Sequence, residues 1–420
     1  MDVSPSGPRI VVVGGGVIGV SCAYYLARGG AQVVLLERDS VGAGASSGNA
    51  GTVSAGHPPL NRPGRIAKAL SQMLDPTSPL FIRPRWDPAL WRWLYGFARH
   101  CTWEHVEHCM RVMAPLGKDA LGLFESLLEE ERIDCGYRAD GYYDVCTTEV
   151  GLSGATHESG IIERYGYHPE AVDGDELRRR EPAFGPDVIG AVYYPEAAIL
   201  NPGVFLTRFV KAAQRRGTVV REGACVVAVE LSGGRAVGVR LDSGEVVGGD
   251  AVVLATGAFS MRLARSVGAR LPVQPGKGYH RDVDIGPNGA PRLRVACVLH
   301  ETSVFCTPMD TFVRFAGTME FSGENDVLRR ARLEQLTRAG RLCFPQLGTA
   351  RPKSEWCGLR PMSMDGLPIV GPLGGVEGLS VATGHGMLGL TLGPVTGEII
   401  ANHVLGPGDE RIEGLSPDRF

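Results

Sequence analysis

The sequence predicts an α/β domain assembled from three separated pieces of chain and interrupted by a second domain on an antiparallel sheet, an α/β plus α+β architecture. Three observations predict it. The uncharged run Ile10–Ala27 reads as a buried strand, a glycine turn and a packed helix. Two further stretches, Pro202–Gly257 and Gly378 to the C-terminus, again alternate strand and helix patterns. Between them, residues 271–350 alternate apolar and polar side chains in short runs such as Thr311–Ala316, the period of half-buried antiparallel strands.

Composition bounds the function. A chain of 420 residues, 44% hydrophobic and 21% charged, has ample material for two or three folded domains. A formal net charge of -3 with no long basic run excludes a nucleic-acid binder. The clusters Arg178-Arg179-Arg180 and Glu129-Glu130-Glu131 read as solvated helix faces. The 10 cysteines form no CxxC pair, so zinc ribbons and thioredoxin-like chemistry are unsupported and a reducing, cytoplasmic compartment is expected. Ile10–Ala27 approaches the length of a membrane span, but four glycines at 14, 15, 16 and 19 favour the buried strand and turn. No transmembrane segment is expected.

In chain order, a strand at Ile10–Val13 is followed by a helix and a second strand at Gln32–Glu37. The proline-rich stretch 57–88 reads as loop with one short helix near Ile66–Met73. Leu90, Leu94 and Phe97, then Val106, Met110 and Met113, recur at helical spacing and predict a helical pair to about Glu131. The cluster Trp86, Trp91, Trp93 and Trp103 is expected to pack inside, with a membrane-surface anchor as the alternative. A helix at Val204–Arg216 leads to short β segments with turns at Gly233-Gly234 and Ser243-Gly244, closing on strand Ala251–Leu254. Strand Leu379–Ala382 then runs through glycines into a helix ending near Val404. The expected partition is 1–85, 199–270 and 355–420 for the first domain, with 86–198 and 271–354 for the second.

The chemistry begins at Gly14-x-Gly16-x-x-Gly19, between the first strand and a helix opened by Val17 and Ile18. Gly14 permits a tight turn, Gly16 lets backbone N–H groups approach a pyrophosphate, and Gly19 lets helix and strand pack closely. The helix N-terminus offers free N–H groups and partial positive charge to the phosphates. Glu37, at the end of the second strand, is placed to accept from a ribose hydroxyl. Strand, turn, helix and acid in that order predict a Rossmann-type dinucleotide site. Arg38 and then Ala45, Ser46, Ser47, Asn49, Ala50 and Gly51 supply small residues and hydroxyls suited to lie along a long cofactor, which favours FAD over NAD. Val53, Val227, Thr256 and Gly257 are assigned to the same cofactor. Near the C-terminus, Gly358-Leu359-Arg360-Pro361 precedes Gly384-His385-Gly386-Met387-Leu388-Gly389. The latter also matches GxGxxG, but no ribose acid follows it. A helix starting there is suited to stabilise negative charge at the flavin.

As a set, these motifs resemble the D-amino-acid oxidase superfamily of FAD-dependent oxidoreductases. The resemblance runs from Arg9 nearly to the C-terminus and is carried by Gly14–Glu37, Ser46–Gly51, Lys277-Gly278-Tyr279, Gly358–Pro361 and Thr383–Gly386. It is most similar to bacterial D-amino-acid dehydrogenases, with a glycine oxidase-like branch as the alternative. The resemblance implies that Arg360 clamps the substrate carboxylate, as a permanently charged planar guanidinium suits. Glycine-oxidase-like relatives carry a second arginine where this chain has Met387, which implies a larger or N-substituted amino acid rather than glycine. Tyr279 is implied near the substrate pocket, or else is a core tyrosine. His57 and His385 flank the flavin or serve as hydrogen-bonded structural histidines, and Arg314 lines the substrate sheet. Some relatives attach flavin through cysteine, but Cys297, Cys306 and Cys357 stand in no attachment motif, so the FAD is expected to be non-covalent.

The implied reaction is oxidation of the C–N bond of a small D-amino acid by hydride transfer from Cα to flavin N5. The imino acid then hydrolyses to a keto acid, and no dedicated general base is required. O2 or a quinone or other acceptor takes the electrons. The alternatives are an oxidase of N-substituted glycine, sarcosine or D-proline derivatives, and a flavin-carrying subunit of a multi-subunit amine dehydrogenase. The compartment expected is cytoplasmic, with peripheral membrane contact as an option.

Overall fold

Four of the five residues of strand Arg9–Val13 are buried, as a strand covered on both faces must be. It sits inside a six-stranded sheet described by a computed structural model that covers residues 7–54, 56–284, 292–345 and 352–420. The strand order is Ile369–Pro372, Leu379–Thr383, Ala251–Leu254, Arg9–Val13, Gln32–Leu36 and Val219–Arg221. Every neighbouring pair is parallel except the first. Arg9–Val13 therefore has one later strand on each side, which makes its C-terminal end the topological switch point where such sheets hold ligands. Helices Val17–Arg28 and Gly389–Leu405 pack on one face. A Cβ on Gly397 would come within 2.6 Å of the Ser21 backbone, so glycine there sets how closely these helices approach.

A second sheet of nine strands lies alongside. Its order is Pro352–Ser363, Val273–Asp284, Phe312–Phe321, Val304–Pro308, Ala296–Leu299, Tyr142–Cys146, Gly190–Tyr194 and Glu170–Asp173, with Leu80–Ile82 joining Phe312–Phe321. Most pairs are antiparallel, as the alternating pattern requires. Two are parallel: Ala296–Leu299 with Tyr142–Cys146, and Leu80–Ile82 with Met319–Phe321. Both join segments far apart in sequence.

Those long-range pairings move two of the expected boundaries. Leu80–Ile82, placed by sequence in the first domain, hydrogen-bonds into the nine-stranded sheet. The whole of Pro352–Ser363 pairs there with Val273–Asp284, so residues 355–363 also leave the first domain. Nothing local in either segment distinguishes the two sheets.

The helical pair forms at Pro88–Arg99 and Trp103–Glu130, capped by the side chains of Asp87 and Thr102. The short helix is Arg65–Gln72. The tryptophan expectation needs correcting. Only Trp93 is buried, its Nε1 donating to Met362 O at 3.1 Å and its ring stacked on Phe97. Trp86 is 90% exposed, and Trp91 and Trp103 are about half exposed. Trp91 lies two residues from Trp93, hence on the opposite side of the helix.

Candidate functional site

The glycine turn is built by close contacts. Strand Arg9–Val13 ends at Gly14, whose φ of 110° suits glycine, and a Cβ there would sit 2.5 Å from Ala255 O. A Cβ on Gly19 would lie 1.8 Å from Gly14 O, so the helix rests directly on the turn. Glu37 is fixed at the same turn: the Gly15 N–H donates to its Oε2 at 2.6 Å and the Asp39 N–H to its Oε1 at 3.0 Å. Val17 N–H donates to Ser46 Oγ at 2.9 Å, which docks the small-residue loop onto the helix start. Asn49 stiffens that loop, donating to Ser46 O and accepting from Gly51 N–H. Arg38 lies 4.3 Å over the Phe259 ring.

Two hydrogen bonds gather the C-terminal motifs, and a third draws in the small-residue loop. Thr383 Oγ1 donates to Gly257 O at 2.9 Å, and Gly386 N–H donates to Pro361 O at 2.9 Å. Nδ1 of His280 and the Gly48 O are 2.6 Å apart, which ties the loop to the large sheet. The result is one cavity of about 1290 Å³. It is lined at one end by Gly14, Gly16, Val17, Ile18, Glu37 and Arg38, and along its length by Ala45, Ser46, Asn49, Ala50, Thr256 and Gly257. Gly358, His385, Gly386, Met387, Leu388 and Gly389 complete that wall.

This cavity fits the expected FAD on its donor set. The glycine turn and Glu37 open into it, and so does the start of helix Gly389–Leu405. His385 shares a 3.0 Å hydrogen bond between Nε2 and Thr396 Oγ1, while its buried Nδ1 has no partner among the described residues. Burial pushes its pKa down to about 3, so the ring is neutral and an orphaned polar atom is left at the cavity wall.

Arg360 stands on strand Pro352–Ser363, its guanidinium lying across Gly278. A Cβ on Gly278 would be 2.3 Å from Arg360 Cζ, so only glycine leaves room. Nη1 donates to Thr318 O at 2.7 Å. Burial, then repulsion from Arg332, lowers its pKa to about 10, which still leaves it charged at neutral pH. The nearby carboxylate of Glu320 is already engaged. It faces Lys277 at 3.3 Å, accepts from Arg329 at 3.0 Å, and accepts from Tyr279 OH at 2.8 Å. Arg360 is therefore a cation in the cavity wall with no carboxylate of its own among the described residues. Tyr279 lines the cavity and is also a core residue, fully buried and held by Glu320.

Other expected site residues fall elsewhere. Arg314 is not at the cavity: it grips Asp282 through two hydrogen bonds of 2.8 and 3.1 Å and donates to Asn49 O at 3.0 Å. It braces the loop from behind. Val227 is 47% exposed, and its neighbour Val226 lines the cavity instead. Gly19, Ser47, Gly51, Val53 and Gly384 sit behind the lining and support it. His57 does line the cavity, 2.8 Å from Ser54 Oγ through Nε2, with burial holding its pKa near 4. Met387 lies at the wall half exposed. Of the three cysteines, Cys357 reaches the cavity, while Cys297 and Cys306 are buried cross-strand neighbours in the sheet.

Sequence reasoning missed a polar alcove in the same cavity, made by Arg62, Arg65, Tyr142, Asp144, Glu158 and His300. Arg62 is ion-paired with Glu158, and His300 Nδ1 lies 2.9 Å from Asp144 Oδ2. These residues come from four separate segments and carry no motif. It also missed Trp356, on which Gly48 and Gly358 both pack and against which His280 stacks. Its place two residues before Gly358 was the available signal.

Comparison with known proteins agrees with this geometry. The family model described as "DAO: FAD dependent oxidoreductase" matches residues 9–403. A D-amino acid dehydrogenase of Methylobacterium nodulans is 34% identical over 419 residues, covering 98% of this chain and 99% of the relative. Among solved structures, glycine oxidase from Bacillus cereus superposes with a TM-score of 0.74 at 23% identity, covering 97% of this chain and 98% of that one. L-proline dehydrogenase from P. horikoshii gives 0.75 at 17% identity, covering 99% and 98%. At these identities the two structures show a shared fold.

Proposed function

The chain belongs to the FAD-dependent oxidoreductase (DAO) family, and from that premise we propose that it oxidises the C–N bond of a small amino acid, with D-amino acids as the first candidates. FAD, held non-covalently when bound, supplies the hydride acceptor for the substrate Cα–H at flavin N5. Arg360 holds the substrate carboxylate by charge-assisted hydrogen bonds, and Gly278 keeps the space in which it does so. The amine binds neutral, so no side chain need act as general base, and water converts the released imino acid to a keto acid. Rate would come from orientation of the substrate and from the helix N-terminus at Gly389, whose free N–H groups at the cavity would stabilise negative charge on the bound flavin. The observation that carries the reading is Arg360, a half-buried guanidinium in the wall of the cavity that fits the cofactor, with no carboxylate partner among the described residues. A flavin-carrying subunit without its own substrate would have no use for that uncompensated cation.

The test is an anaerobic titration of the purified yellow protein with D- and L-amino acids, glycine, sarcosine and D-proline, followed by air. Bleaching by D-amino acids with slow recovery in air is expected, which assigns a quinone or other acceptor. Bleaching by N-substituted glycines alone, with fast recovery, would move the chain to the secondary-amine branch that Met387 also favours. No bleaching by any amine would remove the enzymatic reading.

The compartment proposed is cytoplasmic, with peripheral contact to a membrane. Among the described residues no helix is long and apolar enough to cross one. Ile66 and Leu70 on helix Arg65–Gln72, and Trp91 and Tyr95 on helix Pro88–Arg99, are exposed at the cavity rim. Each pair is spaced by one turn, so each presents one apolar face outward. The protein is expected to co-sediment with vesicles containing anionic lipid, and a Leu70→Ser, Trp91→Ser, Tyr95→Ser variant to stay in the supernatant. Equal sedimentation of both would rule this surface out.

A further inference from the structure

The cavity is lined by Arg38, Arg62, Arg65, Arg262 and Arg360. Three of these have carboxylate partners: Asp39 for Arg38, Glu158 for Arg62 and Glu324 for Arg262. Arg65 and Arg360 have none among the described residues. Arg65 begins the helix Arg65–Gln72, directly after Gly64, whose φ of 84° turns the chain into it. Its Nε is buried and donates to none of the described residues. Burial, then repulsion from Arg62, lowers its pKa to about 10, so it too stays charged at neutral pH.

The charges around Arg65 leave it uncompensated. Glu158 is the nearby anion and is engaged by Arg62. Asp144 is matched by His300. His57, with its pKa near 4, is neutral, and Lys68 at the rim adds a further cation. The Arg65 side chain is half-buried, and its solvent-shielded Nε is costly to leave without an acceptor unless something supplies one. Arg360, at another place in the same cavity, likewise has no carboxylate partner among the described residues, its Nη1 donating to Thr318 O.

We propose that Arg65 binds a second carboxylate of the substrate, so that the site selects amino acids bearing two acid groups, one on Arg360 and the other on Arg65. This rests on the reading of the cavity as an amino acid oxidation site. The distal acid is carried either by the side chain or by a substituent on nitrogen, and both present the same carboxylate to Arg65.

The test separates binding from turnover. The holoenzyme is titrated with glutarate and with its monoamide, which differ by one charge, and binding is read from perturbation of the flavin absorption. Glutarate is expected to bind about tenfold tighter or more. Arg65→Met should bring the two affinities together, and Arg65→Lys should keep most of the difference. Equal affinities in the unaltered protein, or a preference that survives Arg65→Met, would overturn the proposal. D-glutamate and iminodiacetate, compared with D-alanine in anaerobic flavin bleaching, then locate the distal acid on the side chain or on nitrogen. If D-alanine bleaches the flavin and neither diacid does so at lower concentration, Arg65 does not select the substrate and the proposal falls. If the glutarate preference depends on Arg65 but no amino acid bleaches the flavin, the oxidation reading fails while the second carboxylate site stands.

Discussion

Arg360→Met is expected to raise KM for amino acid substrates by roughly 100-fold while changing kcat much less. A hydrogen bond to a charged group contributes about 1.5–3 kcal/mol, and each 1.4 kcal/mol is a factor of ten, so one or two such bonds reach that range. The loss falls on KM because the carboxylate is held alike before and during hydride transfer, which makes the interaction uniform binding. Methionine keeps an unbranched apolar stem across Gly278, so the surrounding sheet is left in place. The engaged state of Glu320, already shared by Lys277, Arg329 and Tyr279, means that removing the Arg360 charge strands no buried anion. Steady-state kinetics checks the expectation, and an unchanged KM would take Arg360 out of substrate binding.

Gly19→Ala should yield protein that no longer retains FAD. The added Cβ would sit 1.8 Å from Gly14 O, a backbone atom that has no rotamer with which to escape. Helix Val17–Arg28 must lift off the turn, and its N-terminal N–H groups leave the positions that a pyrophosphate needs. A weakening of flavin binding by about 100-fold or more is expected from a loss of two or three charge-assisted hydrogen bonds. Overpacking of this kind also costs about 1–3 kcal/mol of stability, within reach of a folded protein. Gly122→Ala, on the helix Trp103–Glu130 where a Cβ meets nothing within 4 Å, should purify yellow and serve as the control. Full flavin content in Gly19→Ala would contradict the assignment of this turn to the cofactor.

Legibility in the sequence followed the range of each interaction. The turn at Gly14, its helix and Glu37 lie within one short stretch, and the roles of those residues depend on backbone geometry that glycine spacing reports directly. The place of Arg360 in the cavity wall was legible through the resemblance of Gly358–Pro361 to a known family. Its lack of a carboxylate partner was not, because that depends on where Glu320 and Lys277 spend their charges. Arg314 was misread for a similar reason: its partner Asp282 is its cross-strand neighbour, 32 residues away. Val227 failed by one position at an irregularity between Val226 and Ala228 in the strand register. A single slip of that kind turns a side chain to the other face of a strand. Trp91 and Trp103 were expected inside on residue type alone, whereas helix rotation decides which of two nearby tryptophans is covered. The alcove around Arg65 draws on segments from Arg62 to His300, and no local pattern announces it.

The measurement that bears most directly on the function is anaerobic reduction of the flavin by one D-amino acid and by its carboxamide, in the unaltered protein and in Arg360→Met. The two substrates share the Cα–H and the amine and differ in the group offered to Arg360. The expected result is that the unaltered protein reduces with the acid at concentrations about 100-fold lower than with the amide, and that Arg360→Met removes the difference. Equal reduction by acid and amide in the unaltered protein would contradict a carboxylate clamp at Arg360 and with it the proposed amino acid substrate.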